Sequence, residues 1–287
     1  MQHNQAGIGS VVVTGVSTGI GAAITRHLAK QGYMVFGSVR KIADAQPMID
    51  ELGDNFEALV FDVRDRSEVS DAAEHVRATL KGVPLAGLIN NAGIAAFGPM
   101  ECLDDDTFET TISINVYGTR MVSNAFIPLL RADNTAYSGK IINVSSLSGI
   151  LNTPMNGAYC VAKHALESLG EIYRRELLPD GIDVVSIRSG PVKSKIWEKS
   201  KTATKVYQHQ SYQLMSDNAT KVIRSAERDA IPADDIAVAI NQILQGQKNR
   251  TAYHFSKGAI MAQILAMLPP RIADRIITGA LMKPAKA

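Results

Sequence analysis

The chain has 287 residues, of which 46% are hydrophobic and 20% charged, and its formal net charge is +2. This length and composition are typical of a globular protein with one large α/β domain or two small domains. Nucleic-acid binding needs a basic patch or stripe, which a charge so near zero does not indicate, so we expect no nucleic-acid partner.

Two cysteines, Cys102 and Cys160, are too few for a disulfide framework or a metal-ligand cluster. We therefore expect reduced thiols, no bound metal and a cytoplasmic location. The first seven residues are polar and do not have the pattern of a signal peptide. The sequence has no uninterrupted run of about 20 apolar residues, so we expect no transmembrane segment.

Short apolar runs alternate with longer segments of helical periodicity. Most runs are apolar at successive positions and rich in Val and Ile, which is typical of strands buried on both faces. The alternation predicts one α/β domain over residues 1–287, doubly wound, with about seven parallel strands flanked by helices. The predicted strands are 8–14, 33–38, 56–61, 85–90, 140–145, 183–187 and 251–255.

The segments between the strands predict helices at 19–31, 67–80, 104–131, 156–178 and 233–245. Two regions depart from this alternation. Residues 191–230 form a long insertion after the sixth strand, and such insertions are usually lids or mobile loops at a substrate site. Residues 259–287 form an apolar tail with two helical faces, separated by Pro269-Pro270.

A glycine-rich turn follows the first predicted strand and opens the first helix. Glycines let the chain turn tightly and let backbone amides approach a diphosphate, which the helix N-terminus then attracts. A turn without a ligand is the alternative, because glycine patterns alone are weak signals. The predicted cofactor contacts here are Gly15, Ser17, Thr18, Gly19, Ile20 and Gly21.

The end of the second strand favours a phosphorylated dinucleotide. An acidic residue usually binds the ribose 2′-hydroxyl of NAD at this point, whereas an arginine suits a 2′-phosphate. No acid occupies residues 37–41, and Arg40 is well placed. We therefore expect NADP(H), with NAD(H) as the alternative. Asp62 and Val63, after the third strand, are candidate adenine contacts, although Asp62 fits a cap or turn equally well.

Five motifs in order resemble the short-chain dehydrogenase/reductase family across roughly residues 8–255. They are the TGxxxGIG turn from Thr14 to Gly21, the NNAG motif from Asn90 to Gly93, Asn115, Ser146, and the pair Tyr159-x-x-x-Lys163. The resemblance implies a Rossmann fold and an NADP(H)-dependent oxidoreductase acting on CH–OH groups. It implies catalytic roles for Tyr159, Lys163, Ser146 and Asn115.

The spacing of Tyr159 and Lys163 suits proton transfer to or from a substrate oxygen. A phenol with a pKa near 10 is a weak base at neutral pH. Residues four apart share one helical face, so we expect the Lys163 ammonium to lower the pKa of Tyr159. Lys163 is also placed to bind the cofactor ribose. Ser146, at the end of a strand, is predicted to donate a hydrogen bond to the substrate oxygen.

The remaining family positions are carried over by resemblance. Asn115 kinks the long fourth helix and holds a water leading to the lysine, unless it is a purely structural amide. Asn91, Ala92 and Gly93 line the cofactor. After the sixth strand the match weakens, since Ser189 stands where the family commonly has proline. The family also commonly has a threonine four residues after that proline. This position falls at Lys193, or at Ser194 if the spacing is allowed to differ by one residue. Val192 and Ser194 are the expected cofactor contacts there.

The substrate is expected to be a hydrophobic alcohol or carbonyl, such as a steroid, retinoid or lipid. The predicted wall residues are Ala95, Phe97, Leu147, Leu151, Met155 and Trp197. The resemblance also implies a homodimer or homotetramer built on segments 104–131 and 156–178.

Three interpretations of the tail stay open: a cover for a subunit interface, a lid, or a helix in peripheral contact with a membrane surface. The alternatives to an oxidoreductase are a cofactor-binding regulatory protein and a lyase or epimerase on the same fold.

Overall fold

The computed structural model describes residues 8–131, 139–193, 207–228 and 230–282. Within them, seven parallel strands form one sheet in the order β3-β2-β1-β4-β5-β6-β7. The strands are β1 Ser10–Val13, β2 Met34–Val39, β3 Phe56–Val60, β4 Gly87–Asn90, β5 Lys140–Ser146, β6 Asp183–Ser189 and β7 Ala252–Phe255. The strand order reverses between β1 and β4, which is where doubly wound folds bind ligands.

Helices connect the strands and cover both faces of the sheet. In the described residues they are α1 Gly19–Lys30, α2 Gln46–Leu52, α3 Arg66–Leu80, α4 Asp105–Ile112, α5 Thr119–Leu130, α6 Gly157–Glu176, α7 Gln210–Arg228, α8 Ala233–Leu244, α9 Ala259–Met267 and α10 Pro270–Leu281. The predicted doubly wound α/β fold is therefore confirmed. The short helix α2 was not predicted.

The sheet divides the core into two apolar layers. Val11 and Val13 face one layer, which includes buried residues of α1 and α8, while Val12 faces the other, with α3 and α5. Alternate residues of a strand point to opposite faces, so a strand buried on both sides is apolar at every position. This burial explains why the runs in the sequence did not alternate with polar residues.

The predicted continuous helix over 104–131 is divided into three parts. Helix α4 and helix α5 are joined by a π-helical segment, Ser113–Gly118, which contains Asn115. A single π-helical turn inside an α-helix is rare and frequently marks a functional site. Gly118 lies against Val63, because a Cβ at Gly118 would be 2.7 Å from Val63 Cγ2.

The described part of the insertion is largely helical, whereas the sequence indicated a lid or mobile loop there. Side chains of helix α7 contact its surroundings: the Tyr212 hydroxyl donates to Glu101, and Asn218 Nδ2 donates to the carbonyl of Leu281 at 2.8 Å. Ser194 and Trp197, both predicted site residues, lie outside the described residues.

The tail forms the two predicted helices. The proline pair starts the second one: Pro269 is its N-cap and Pro270 its first residue, where the missing N–H costs nothing. Across the described ranges, none of these helices is both long and apolar enough to cross a membrane.

Candidate functional site

The predicted site residues meet at the carboxyl edge of the sheet. Asn90 ends β4 and Ser146 ends β5, both beside the strand-order reversal. Tyr159 and Lys163 lie in the first two turns of α6, which follows β5. The glycine turn joins β1 to α1 at the same edge. The fold thus brings together motifs that are far apart in the sequence, from Thr14 to Lys163.

Two glycines of the turn are required by close backbone approach. Gly15 has φ +70°, and a Cβ there would be 3.0 Å from the Cα of Ala92. A Cβ at Gly21 would be 2.3 Å from the Gly15 carbonyl oxygen and 2.4 Å from Asn91 Nδ2. Only glycine fits such contacts, so the turn can bring its backbone next to a bound group.

Asn91 holds this turn against the end of β4. Its Nδ2 donates to the carbonyls of Thr14 at 2.9 Å and Gly15 at 3.0 Å. The Thr14 hydroxyl accepts from the backbone N–H groups of Asn91 and Ala92, both at 2.9 Å. These bonds fix the shape of the cradle.

The N-terminus of α1 is open toward the cradle. Its N-cap, Thr18, makes no side-chain capping hydrogen bond, and the first turn contains no acidic residue. Ser17 and Thr18 are exposed, and Gly19 and Ile20 partly so. Backbone N–H groups at a helix N-terminus attract phosphate. The cradle that a Cβ would fill and the uncapped helix together fit a dinucleotide diphosphate.

Arg40 is exposed directly after β2, at the same edge. Its positive charge is one of the causes that hold the pKa of Asp62 below its usual value. The main cause is Arg64, whose Nε and Nη2 donate to the Asp62 carboxylate at 3.0 and 2.8 Å. The backbone N–H of Arg64 also donates to Asp62, so this carboxylate holds a turn. Arg64, a second cation near Asp62, was not predicted from the sequence.

Ser146 is buried at the end of β5. Its Oγ accepts from the backbone N–H of Ser148 at 3.1 Å, and its hydroxyl makes a side-chain hydrogen bond with Tyr159 that lowers the pKa of that phenol. Accepting from Ser148 orients the Ser146 hydroxyl. The two hydroxyls therefore form a connected pair that can donate to one substrate oxygen.

The predicted lowering of the Tyr159 pKa is wrong for the protein by itself. Desolvation by burial raises the pKa of Tyr159 to about 12, and the opposing effect of Ser146 is smaller. Lys163 Nζ lies 5.5 Å from the centroid of the Tyr159 ring. The phenol is consequently a neutral proton donor at physiological pH.

Lys163 is buried, and its Nζ donates to the carbonyl of Val144 at 2.8 Å. Burial lowers the pKa of this amine to about 8, while the charge of Glu167 acts in the opposite direction. At neutral pH the ammonium form predominates, but with a small margin. Lys163 can therefore change protonation state within the range in which enzymes work.

Behind Lys163 lies a polar cluster that the sequence analysis did not find. Glu167, one turn further along α6, accepts from Arg188 of β6 at 2.9 Å. Ser145, Arg188 and His254 are aligned across β5, β6 and β7. Each has a buried polar atom without a hydrogen-bond partner in the structure, as does Glu167. Glu167 stands four residues after Lys163, and that spacing was visible in the sequence.

Asn115 is buried in the π-helical segment, and both polar atoms of its side chain bind the backbone of Ile94. Oδ1 accepts from the Ile94 N–H at 2.9 Å, and Nδ2 donates to the Ile94 carbonyl at 2.8 Å. Gly93 is held equally close, since a Cβ there would be 2.6 Å from Asn115 Oδ1. Asn115 thus anchors the NNAG loop to the helix in front of it.

The predicted substrate wall is only partly gathered in the described residues. Phe97, Leu147 and Leu151 are partly buried, and Ala95 is exposed. Met155 is buried with φ +68°, a strained conformation for a side chain of this size, and its carbonyl accepts from Gly98 N at 2.9 Å. Val192 is buried and pairs with Ile231, so its side chain belongs to the core.

Known proteins resemble this chain in sequence and in fold. Residues 10–205 match the family model for short chain dehydrogenases. The chain is 32% identical over 274 residues to the NADPH-dependent 3-dehydrocapnine reductase of Ornithobacterium rhinotracheale, covering 95% of this chain and 97% of that protein. It is 26% identical to the D-beta-hydroxybutyrate dehydrogenase, mitochondrial, of Bos taurus, covering 93% and 83%.

Solved structures agree on the fold. A short-chain dehydrogenase from Streptomyces avermitilis superposes with a TM-score of 0.75 at 24% identity, covering 89% of this chain and 90% of that one. A short chain dehydrogenase from Burkholderia cenocepacia in complex with NADP gives a TM-score of 0.72 at 23% identity, covering 96% and 98%. With a family model over two thirds of its length and a relative across nearly all of it, this chain belongs to the short-chain dehydrogenase family and is an alcohol/ketone oxidoreductase.

Proposed function

We propose that this protein is an NADP(H)-dependent reductase of a hydrophobic ketone or aldehyde, with Tyr159 as the proton donor. The observation that carries the proposal is the protonation state of the pair on α6. Tyr159 is held neutral by a pKa of about 12, beside a buried lysine that is mostly cationic at neutral pH. A neutral phenol is an acid, which carbonyl reduction requires.

The residues present fit the cofactor. Gly15, Gly21 and the uncapped N-terminus of α1 form the cradle for its diphosphate, and Arg40 is placed for the 2′-phosphate. NADPH, when bound, supplies the hydride that reaches the carbonyl carbon. Support for NADP comes from the relative described as NADPH-dependent and from the Burkholderia structure solved with NADP.

The protein's own residues manage the proton and the charge. Ser146 and Tyr159 donate hydrogen bonds to the carbonyl oxygen, and the Tyr159 proton moves to that oxygen as the C–O group becomes an alcohol. The Lys163 ammonium, one turn away, stabilises the phenolate that remains. Asn115 keeps the loop after β4 in place through Ile94.

The substrate class rests on the pocket and on the relatives. Leu147 follows Ser146 directly, and Phe97 and Leu147 are partly buried apolar residues, as the wall of a site for a hydrophobic substrate would need. Relatives are described as a 3-dehydrocapnine reductase, a D-beta-hydroxybutyrate dehydrogenase and retinol dehydrogenase 7. We expect the carbonyl group of a steroid-, retinoid- or lipid-like molecule.

NADPH oxidation is the measurement that tests this proposal, with 3-dehydrocapnine, a short 3-oxo acid, retinal and a steroid ketone as substrates. For the best substrate, Tyr159→Phe should lower kcat by about 10²- to 10⁴-fold, because the proton donor is lost. NADPH binding, followed by fluorescence titration, should be unchanged.

Tyr173→Phe is the matched control, because Tyr173 is also on α6 but its hydroxyl donates to Asn124. It should retain wild-type turnover. If Tyr159→Phe keeps more than about a tenth of the activity, the role of Tyr159 is refuted.

A further inference from the structure

We infer that the C-terminal tail docks the protein on an anionic membrane surface. The inference concerns an interaction surface and is independent of the proposed substrate. It rests on an exposed apolar face, the tail face, and on the cations beside it. The tail face consists of Ile260, Met261, Ile264, Met267, Ile272 and Ile276.

The tail face points away from the rest of the described protein. Ile260 is 73% exposed and Met267 is 85% exposed, and the other four side chains are about half exposed. The opposite sides of the helices are anchored, since Ala259, Ala262 and Leu281 are buried. Large apolar side chains gathered on one exposed surface mark an interaction site, whereas scattered single ones do not.

The charges of the tail are separated from its apolar part. No charged residue occurs from Gly258 to Pro270, so α9 is entirely uncharged. In α10, the exposed Arg271 and Arg275 are one turn apart and form a row directly beside Ile272 and Ile276. An apolar row beside a basic row is typical of helices that lie in the interface of an anionic bilayer.

The charge of the tail also favours an anionic bilayer over a second copy of this chain as the partner of the tail face. The sequence of segment 257–287 contains five lysines and arginines and one acidic residue, Asp274. A two-fold contact with the tail helices antiparallel would bring the arginine rows of both copies together with little acid to compensate them. Anionic headgroups compensate Arg271 and Arg275 and receive the apolar side chains beneath them.

Contacts connect the tail to the substrate side of the site. Leu281 accepts from Asn218 of α7, and Tyr212 at the start of α7 donates to Glu101. The neighbouring Met100 packs on Gly157, the first residue of α6, where a Cβ would be 2.9 Å from Met100 Cε. Docking through the tail would therefore hold this side of the protein next to the bilayer.

Co-sedimentation with lipid vesicles tests the inference. The full chain should bind vesicles of phosphatidylcholine with about 30% phosphatidylglycerol and bind pure phosphatidylcholine several-fold less. Ile260→Ser/Ile264→Ser/Met267→Ser should lower the partition coefficient by at least about tenfold, because apolar contact is lost. Arg271→Glu/Arg275→Glu should lower it by about tenfold on the anionic vesicles only.

The controls carry substitutions of the same kind elsewhere on the surface. Val83→Ser/Val238→Ser removes exposed apolar side chains, and Arg77→Glu/Arg250→Glu reverses two exposed charges. Both should bind vesicles as the wild type does. Thermal melting verifies that each variant is folded, and neither it nor the vesicle assay needs the substrate. A chain that does not bind vesicles would therefore leave the proposed function unaffected.

Three results would overturn the inference. The first is a wild-type chain that stays in solution with anionic vesicles, and the second is a serine variant that sediments as the wild type does. The third is a fall in oligomer mass of the serine variant by light scattering, which would make the tail face a subunit interface.

Discussion

The glycine turn and the C-terminal tail are both built largely from small and apolar residues, but their surroundings differ. In the turn, a Cβ at Gly21 would meet two neighbouring groups within 2.4 Å, whereas a Cβ at Gly279 in α10 meets nothing within 4 Å. The turn is held against the end of β4 by the hydrogen bonds of Thr14 and Asn91. The tail is fixed from one side only.

This difference indicates what each region does. A cradle for a cofactor must keep its backbone in one position, so its residues are specified by the atoms around them. A docking face needs exposed side chains of a suitable kind, and many sequences satisfy that. We therefore expect substitutions in the turn to have large effects on folding and on cofactor binding, and substitutions in the tail to have small effects on both.

Gly21→Ala should have the largest effect. The added Cβ overlaps the Gly15 carbonyl and Asn91 Nδ2, so the turn and β4 must separate. We expect the free energy of unfolding to fall by about 1–3 kcal/mol and NADPH affinity to fall by more than about tenfold. Thermal melts and fluorescence titration measure both. Unchanged affinity would show that the turn does not hold the diphosphate.

Arg40→Ala should act on one cofactor only. A charge-assisted contact to the 2′-phosphate contributes about 1.5–3 kcal/mol, so KM for NADPH should rise about 10- to 100-fold while that for NADH hardly changes. Arg77→Ala, an exposed arginine in the last turn of α3, is the control. Equal losses for both cofactors would show that Arg40 does not distinguish them.

Glu167→Gln should change the pH dependence of reduction. In the wild type, NADPH oxidation should decline as pH rises through about 8, because Lys163, with a pKa near that value, loses its proton. The negative charge of Glu167 raises the pKa of Lys163, so its removal should move the decline to lower pH. We expect kcat to fall about two- to fivefold near pH 8 and little at pH 6.5.

Glu171→Gln is the matched control, since Glu171 lies one turn further along α6 and pairs with the exposed Arg175. Its pH profile should equal that of the wild type. A profile of Glu167→Gln that falls uniformly at every pH would indicate a structural defect and not a shifted lysine.

Gly279→Ala should have the smallest effect, and of opposite sign to that of Gly21→Ala. Its Cβ enters open space on a helix, where alanine is favoured over glycine. We expect the free energy of unfolding to rise by roughly 0.5–1 kcal/mol, with NADPH affinity unchanged. A loss of stability would mean that the tail is packed more closely than its exposure indicates.

The sequence by itself determined the fold class and where the ligand edge lies. Runs of Val and Ile predicted strands covered on both sides, and the structure has all seven, because burial of both faces leaves no position for polar residues. The spacing of Tyr159 and Lys163 placed them on one helical face, because the helix repeat is a local property of the chain.

Other features were decided only by the tertiary structure. The helix over 104–131 contains a π-helical segment, which no propensity indicates, where Asn115 binds Ile94 across the site. The pKa of Tyr159 moved opposite to our expectation because burial outweighs its neighbours. Arg188 of β6 donates to Glu167, and His254 lies next to Arg188 on β7. Electrostatic fields and burial depend on distance in space, and that distance is set by the packing of segments far apart in the chain.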